Sequence, residues 1–229
     1  MGFGAPGIEI AFFMILKNDS ELDFFTFVVV KLKIFGLKLA IIDFHDSFTF
    51  NISYQFMSLG LDTEVFDFEQ IELNDLEHFD AIVLSPGPGL PVEKPIIDKV
   101  LSKYAGIKPI IGICLGMQAI IQWLGGEIYN LNDVRHGKKE FLAIEYPEHP
   151  LVKDIVSKSP VGLYHSWACK LNRSDVKTIA TDSGSIPMII ASDEKKMVGI
   201  QFHPESIMTD HSQAYFVNLI DWIKEKKQP

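Results

Sequence analysis

Cysteine is scarce. Cys114 and Cys169 are the two cysteines in 229 residues, too few for a disulfide framework, and they point to a reducing, cytoplasmic setting. Positive charge is also short: 21 Lys and Arg against 30 Asp and Glu leave a net charge of −9. An acidic chain lacks the basic face that holding phosphates requires, so nucleic acid is not an expected partner. A membrane span needs roughly 20 apolar residues, and no such run is present. The nearest approach is N-terminal, where seven of the 17 Phe fall within residues 1–36 and Phe24 to Val30 reads Phe-Phe-Thr-Phe-Val-Val-Val. Extending it to Ile42 brings in Lys31, Lys33 and Lys38, and a Lys at the centre of a span costs about 2.5–3.5 kcal/mol. No basic segment opens the chain, and Asn18 to Asp23 breaks the pattern where a leader core should continue. There is no H-E-x-x-H and no paired Cys spacing, so no metal is expected. Repeats and low-complexity segments are absent too.

What is present is globular: 47% hydrophobic and 22% charged residues supply an ample core. From Leu37 onward short apolar runs alternate with helical stretches. Leu37–Phe44, Asp62–Phe66, Ala81–Leu84 and Pro109–Ile113 read as strands. Helices are expected up to Leu59, over Ile96–Tyr104 and over Met117–Leu124, each ending near a glycine or a turn. The later part is richer in strands, at Val161–Tyr164, Val176–Ala180, Pro187–Ala191 and Met197–Gln201, before a last helix over Asp210–Lys226. Such alternation predicts an α/β fold, an open, mostly parallel sheet with helices on both faces. Residues 37–229 read as one domain, and residues 1–36 as an apolar N-terminal extension, an added strand or hairpin of unassigned role.

Gly112-Ile113-Cys114-Leu115-Gly116 falls where an apolar strand meets a helix. This is a G-x-nucleophile-x-G elbow with Cys in the position hydrolases give to Ser. The flanking glycines leave room for a sharp turn, and the helix N-terminus favours a thiolate. Cys169 has no such setting and reads as a core residue. A Cys nucleophile needs a base. His203, in Gln201-Phe202-His203-Pro204-Glu205-Ser206, follows an apolar strand, with Glu205 placed to orient its ring. His45, beside Asp46 after another strand, is the alternative on pattern alone. Leu84-Ser85-Pro86-Gly87-Pro88-Gly89 is the third element, a glycine turn after a strand whose N–H groups are free to approach an oxyanion.

Together these segments resemble the class I (triad) glutamine amidotransferases. Cys114-Leu115-Gly116-Met117-Gln118 is similar to that family's C-L-G-x-Q segment, and His203-Pro204-Glu205 to its H-P-E. Asp43-Phe44-His45-Asp46-Ser47-Phe48-Thr49-Phe50-Asn51, Val134-Arg135-His136-Gly137-Lys138 and Tyr164-His165-Ser166-Trp167 resemble the D-N-Y-D-S-F-T-Y-N, V-M-H-G-K and Y-H-S-L segments of the glutaminase subunits of anthranilate and aminodeoxychorismate synthases. The resemblance spans roughly residues 37–229 and implies a flavodoxin-like amidotransferase fold. It implies that Cys114 attacks the amide of L-glutamine, that His203 rather than His45 moves protons, and that Glu205 holds His203. Gly87, Gly89 and Leu115 would stabilise the oxyanion, with Pro88 shaping the turn, while Gln118, Ser166 and Trp167 would seat the substrate. Loops around His45, Ser47 and His136 would face a chorismate-binding synthase subunit that consumes the ammonia, and no cofactor is implied in this subunit. Met117, Phe44 and His45 stand where those subunits carry His, Asn and Tyr, and Ser183 to Ser192 lacks their arginine-bearing pattern. Two other functions are compatible with the pattern: a catalytically silent partner-binding module, and an amidotransferase serving a different synthetase.

Overall fold

The computed structural model describes residues 9–13, 27–31, 36–171 and 173–227. In the N-terminal stretch β1 (Glu9–Phe13) pairs antiparallel with β2 (Phe27–Lys31), setting Glu9 opposite Lys31. The rest of the expected extension lies outside the described residues.

Next come β3 (Lys38–Asp43), α1 (Thr49–Ser58), β4 (Asp62–Asp67), β5 (Ala81–Leu84), α2 (Pro95–Tyr104), β6 (Ile110–Ile113) and α3 (Leu115–Trp123). They are followed by β7 (Glu127–Phe141), β8 (Ala143–Ile144), β9 (Pro160–Lys170), β10 (Lys177–Thr181), β11 (Pro187–Ser192), β12 (Met197–Ile200) and α4 (Ser212–Lys227). An eight-stranded sheet runs in the order β4-β3-β5-β6-β12-β11-β10-β8. Its first five strands are parallel and its last three antiparallel. The expected mostly parallel α/β sheet is therefore correct.

Alternation along each strand builds two cores. Leu39 and Ile41 of β3 face one side, with Val83, Ile111, Val198 and the inner faces of α1 and α4. Ala40 and Ile42 face the other, with Ile82, Ile110 and the inner faces of α2 and α3. Tyr215, Phe216, Leu219, Ile220 and Ile223 are the buried stripe of α4 that the sequence pattern predicts. Among the described residues, no helix is long and apolar enough to cross a membrane.

Two elements differ from expectation. The segment around His136 is not a loop but lies on the fifteen-residue strand β7, and β9 runs on to Lys170. These two pair antiparallel as a separate ribbon, with register shifts between Asn130 and Arg135 and between His136 and Lys138. β7 is charged and mostly exposed, so it carries no apolar alternation to announce a strand. Pairing with β9 forms it.

Candidate active site

Cys114 lies between β6 and α3, where the chain must reverse from extended to helical within one residue. It takes φ 51° and ψ −102°, a conformation costly for any residue but glycine. Close packing over-determines the turn. A Cβ on Gly112 would run into the Gly116 carbonyl group, and one on Gly116 would run into the Leu84 carbonyl oxygen. The Cys114 N–H donates to the Ile200 carbonyl at 2.7 Å, and its own carbonyl accepts from Gln118 N–H at 3.1 Å. Neighbouring strands thus clamp the backbone of the residue that carries the thiol. Leu115, first in α3, has an N–H without an intrahelical acceptor and free to receive an oxyanion. The glycine turn arrives from β5: a Cβ on Gly87 would sit 2.6 Å from the Phe44 Cβ and 2.8 Å from Leu115 Cδ2. Only a glycine lets that turn reach the start of α3.

His203 follows β12, the strand paired with β6. Its Nδ1 lies 2.7 Å from Glu205 Oε1, and both side chains are buried. An ionised carboxylate only accepts, so Nδ1 carries the proton and Nε2 is left for the sulfur. Burial by itself would lower the ring's pKa. Hydrogen bonding and charge from Cys114 and Glu205 outweigh it and raise the value to about 10. The pair with Glu205 thus favours the protonated ring. Phe48 and Tyr164 pack on the ring with centroids 5.0 Å away on each, and Tyr164 Oη is 3.0 Å from Ser206 Oγ.

The alternative base is elsewhere. His45 is half exposed, with Nε2 3.1 Å from Asp67 Oδ2, and its ring edges on Phe68. Cys169 is buried, and desolvation pushes its thiol up to about 12; it is inert.

Gln118 is buried on α3 and its Nε2 donates to the Trp167 carbonyl oxygen at 3.2 Å, which brings together the residues of α3 and β9 that the resemblance implies as substrate contacts. Ser166 and Trp167 are partly buried beside them. His45, Ser47 and His136 are exposed, and His136 meets Tyr164 edge-on at 5.3 Å. One interface candidate thus touches a residue that packs on His203.

The departures have local explanations. Met117 is fully buried and packs on Gly199 and the apolar core behind the elbow, where a thioether fits without needing a hydrogen bond. Phe44 is fully buried with its ring 5.6 Å from that of Phe68. Three residues escape the sequence reading as site members: Phe48, Tyr164 and Gln201. Gln201 stands two residues before His203, with Nε2 3.7 Å from Cys114 Sγ. Its position in the Q-F-H-P-E run is the available signal. Among the described residues no group of three His, Cys, Asp or Glu side chains is placed to hold a metal. A cleft of about 310 Å³ lined by His149, Lys177, Asp193 and Trp222 contains none of the residues above.

A strained cysteine at a strand-to-helix elbow, with a histidine held by a glutamate after the adjoining strand of a largely parallel α/β sheet, is an arrangement suited to a cysteine nucleophile. The family model described as glutamine amidotransferase class-I matches residues 40–222, and the chain belongs to that family. It is 36% identical over 195 residues to anthranilate synthase component 2 of Vibrio parahaemolyticus, covering 82% of this chain and 97% of the relative. It is 34% identical to anthranilate synthase component 2 of Lactococcus lactis, covering 83% and 97%. A Thermoplasma acidophilum protein assigned as part of a GMP synthase superposes with a TM-score of 0.74 at 22% identity, covering 82% of this chain and 94% of that one. At that identity the match speaks to fold alone.

Proposed function

We propose that this chain is the glutaminase subunit of a chorismate-using synthase, releasing ammonia from L-glutamine for a separate synthase subunit. One observation carries the reading above the others: Cys114 sits in the strained elbow, and His203, at the end of the neighbouring strand, has its Nδ1 fixed by Glu205 at 2.7 Å.

In the first step the Cys114 sulfur attacks the side-chain carbonyl carbon of glutamine. The carbonyl oxygen becomes an oxyanion, received by the N–H groups of Leu115 and of the Gly87–Gly89 turn, in which Pro88 has none to give. His203 passes its proton to the amide nitrogen, the C–N bond breaks and ammonia leaves. Water then attacks the thioester while His203 takes back a proton, and glutamate departs with the thiolate restored. Glu205 stabilises the imidazolium throughout. Gln118, Ser166 and Trp167 hold the substrate. Each step moves protons between groups already present, so the chemistry asks for no cofactor in this subunit. The free thiols of Cys114 and Cys169 suit a cytoplasmic setting.

Docking to the synthase subunit falls to the face carrying His45, Ser47 and His136. Exposed apolar side chains surround it: Phe50 just beyond Ser47, Val134 near His136, and Ile207, 99% exposed two residues past Glu205. Apolar side chains at the rim of a reactive centre give a partner area to bury. Ammonia released into water at neutral pH is mostly protonated, so a seal over the site is chemically useful. The names of the relatives favour anthranilate over aminodeoxychorismate as the product.

The test is reconstitution with the chorismate-binding subunit from the same source. Glutamine plus chorismate should give anthranilate, and glutamate release should rise when the partner is added. Glutamate release by neither the isolated chain nor the verified complex would overturn the reading in favour of a silent module.

A further inference from the structure

We infer that Gln201 is a hydrogen-bond donor that activates the Cys114 sulfur and ties it to the strand proposed to seat the substrate. The inference rests on Cys114 being the nucleophile. Gln201 is fully buried at the end of β12, and its backbone N–H donates to the Met188 carbonyl at 2.9 Å. Its carboxamide bridges two groups, with Nε2 3.7 Å from Cys114 Sγ and Oε1 3.3 Å from Gln118 Nε2.

The direction of this bridge follows from the chain of partners. Trp167 presents a backbone carbonyl, which only accepts, so the Gln118 atom 3.2 Å from it must be the NH₂ group. An NH₂ group only donates, so the Gln201 atom it also meets must be the oxygen. The other end of Gln201, the end at the sulfur, must then be its NH₂. A backbone carbonyl on β9 thus fixes, through Gln118, which way the Gln201 amide points. His165 Nδ1–H donates to the same carbonyl at 2.8 Å, so both lone pairs of the Trp167 oxygen are used and the end of the relay is anchored.

An N–H aimed at sulfur favours the negative sulfur over the neutral thiol and restrains it from rotating out of line. Substrate binding along β9 and the reactivity of Cys114 are coupled through the same four groups. Were Gln201 only a space-filling buried amide, its replacement by a side chain of like volume would leave the sulfur's reactivity alone.

The decisive probe is the pH midpoint of Cys114 alkylation by iodoacetamide, read by peptide mass spectrometry on the full chain. Gln201→Met should raise that midpoint by about one pH unit, near the lower end of what a hydrogen bond to a charged group contributes. Gln201→Glu sets an oxygen against the sulfur and should raise it further. Gln118→Met, which frees the amide to turn, should raise it less. In the reconstituted complex, Gln201→Met should lower kcat with little change in KM. An unchanged midpoint in Gln201→Met with a native circular dichroism spectrum overturns the inference. Should neither Gln201 variant fold, Gln118→Met decides, and an unchanged midpoint there overturns it equally. Failure of the underlying reading has a separate signature: Cys114→Ser would keep hydrolysing glutamine.

Discussion

The elbow between β6 and α3 and the ribbon of β7 and β9 both serve the candidate site, yet they are built on opposite terms. All four residues of β6 are buried, and the adjoining glycines pack so closely that a single methyl group has nowhere to go. β7 exposes most of its fifteen residues, slips register twice against β9, and has Gly137 at φ 66° with open space around it. Bond-making atoms need tolerances that only a packed core provides. Groups that receive a partner gain from a ribbon that can adjust. The contrast favours the proposed division, with chemistry in the first region and docking in the second.

The largest expected effect tests the first half of that assignment. Proton transfer by a placed side chain typically contributes about 10²–10⁴-fold, so His203→Ala should cost at least about 10² in glutamine-dependent kcat, in a variant whose circular dichroism spectrum shows that it still folds. Glu205→Gln should cost less, since an amide still orients the ring. Steady-state assays of the complex measure both, and near-normal turnover in His203→Ala would dissolve the contrast.

Paired glycine substitutions compare the two regions directly. Gly116→Ala must displace the Leu84 backbone, and overpacking of this kind costs about 1–3 kcal/mol or more, with glutaminase activity lost alongside. Gly137→Ala meets no neighbour and carries only the strain of its positive φ, about 1 kcal/mol. Urea denaturation of the two variants reads the difference, and equal losses would count against it.

A smaller, pH-dependent effect lies where the regions meet. Burial holds the His165 imidazole at about 4 rather than its ordinary 6.5, so on acidification the unfolded chain takes the proton first. This contribution to stability is complete above pH 6.5 and is lost as pH falls toward 4, by at most about 1.4 kcal/mol per unit. His203 is raised and acts in the opposite window, losing its contribution as pH climbs toward 10. Between neutral pH and about pH 5, stability of His165→Gln should therefore fall less steeply than that of the native protein. Parallel slopes would mean that His165 is not the group responsible.

The smallest effect concerns the ribbon alone. His136→Ala should reduce stimulation by the synthase subunit more than it reduces basal glutamate release, because Tyr164 stands between His136 and His203 and packs on both. A greater loss of basal rate would move His136 into the reactive centre.

The same contrast decides what is legible in the sequence. The strands leading to Cys114 and His203 are short, apolar and bounded by glycines, and their chemistry follows from residue type at fixed spacing. Met197–Gln201 and Ala81–Leu84 fall within a residue of their observed ends. β7 is not legible, since a charged strand with bulges has no period to detect, and its partner lies far along the chain. Gln201 is hidden for a related reason. Its place in the Q-F-H-P-E run is a bare cue that names no role, and the folded contact with Cys114 and Gln118 gives it one. Met117 goes the other way: its departure from the resemblance stands out, but the fold buries it against Gly199, away from the polar groups of the site.

In the proposed function Cys114 forms the bond to glutamine while the partner performs a chemistry of its own. Cys114→Ser in the reconstituted complex separates the two, with chorismate as the acceptor and either glutamine or an ammonium salt as the nitrogen source. Glutamine-dependent product formation should vanish while ammonia-dependent formation continues at the native rate. Continued use of glutamine by Cys114→Ser would mean that Cys114 is not the nucleophile.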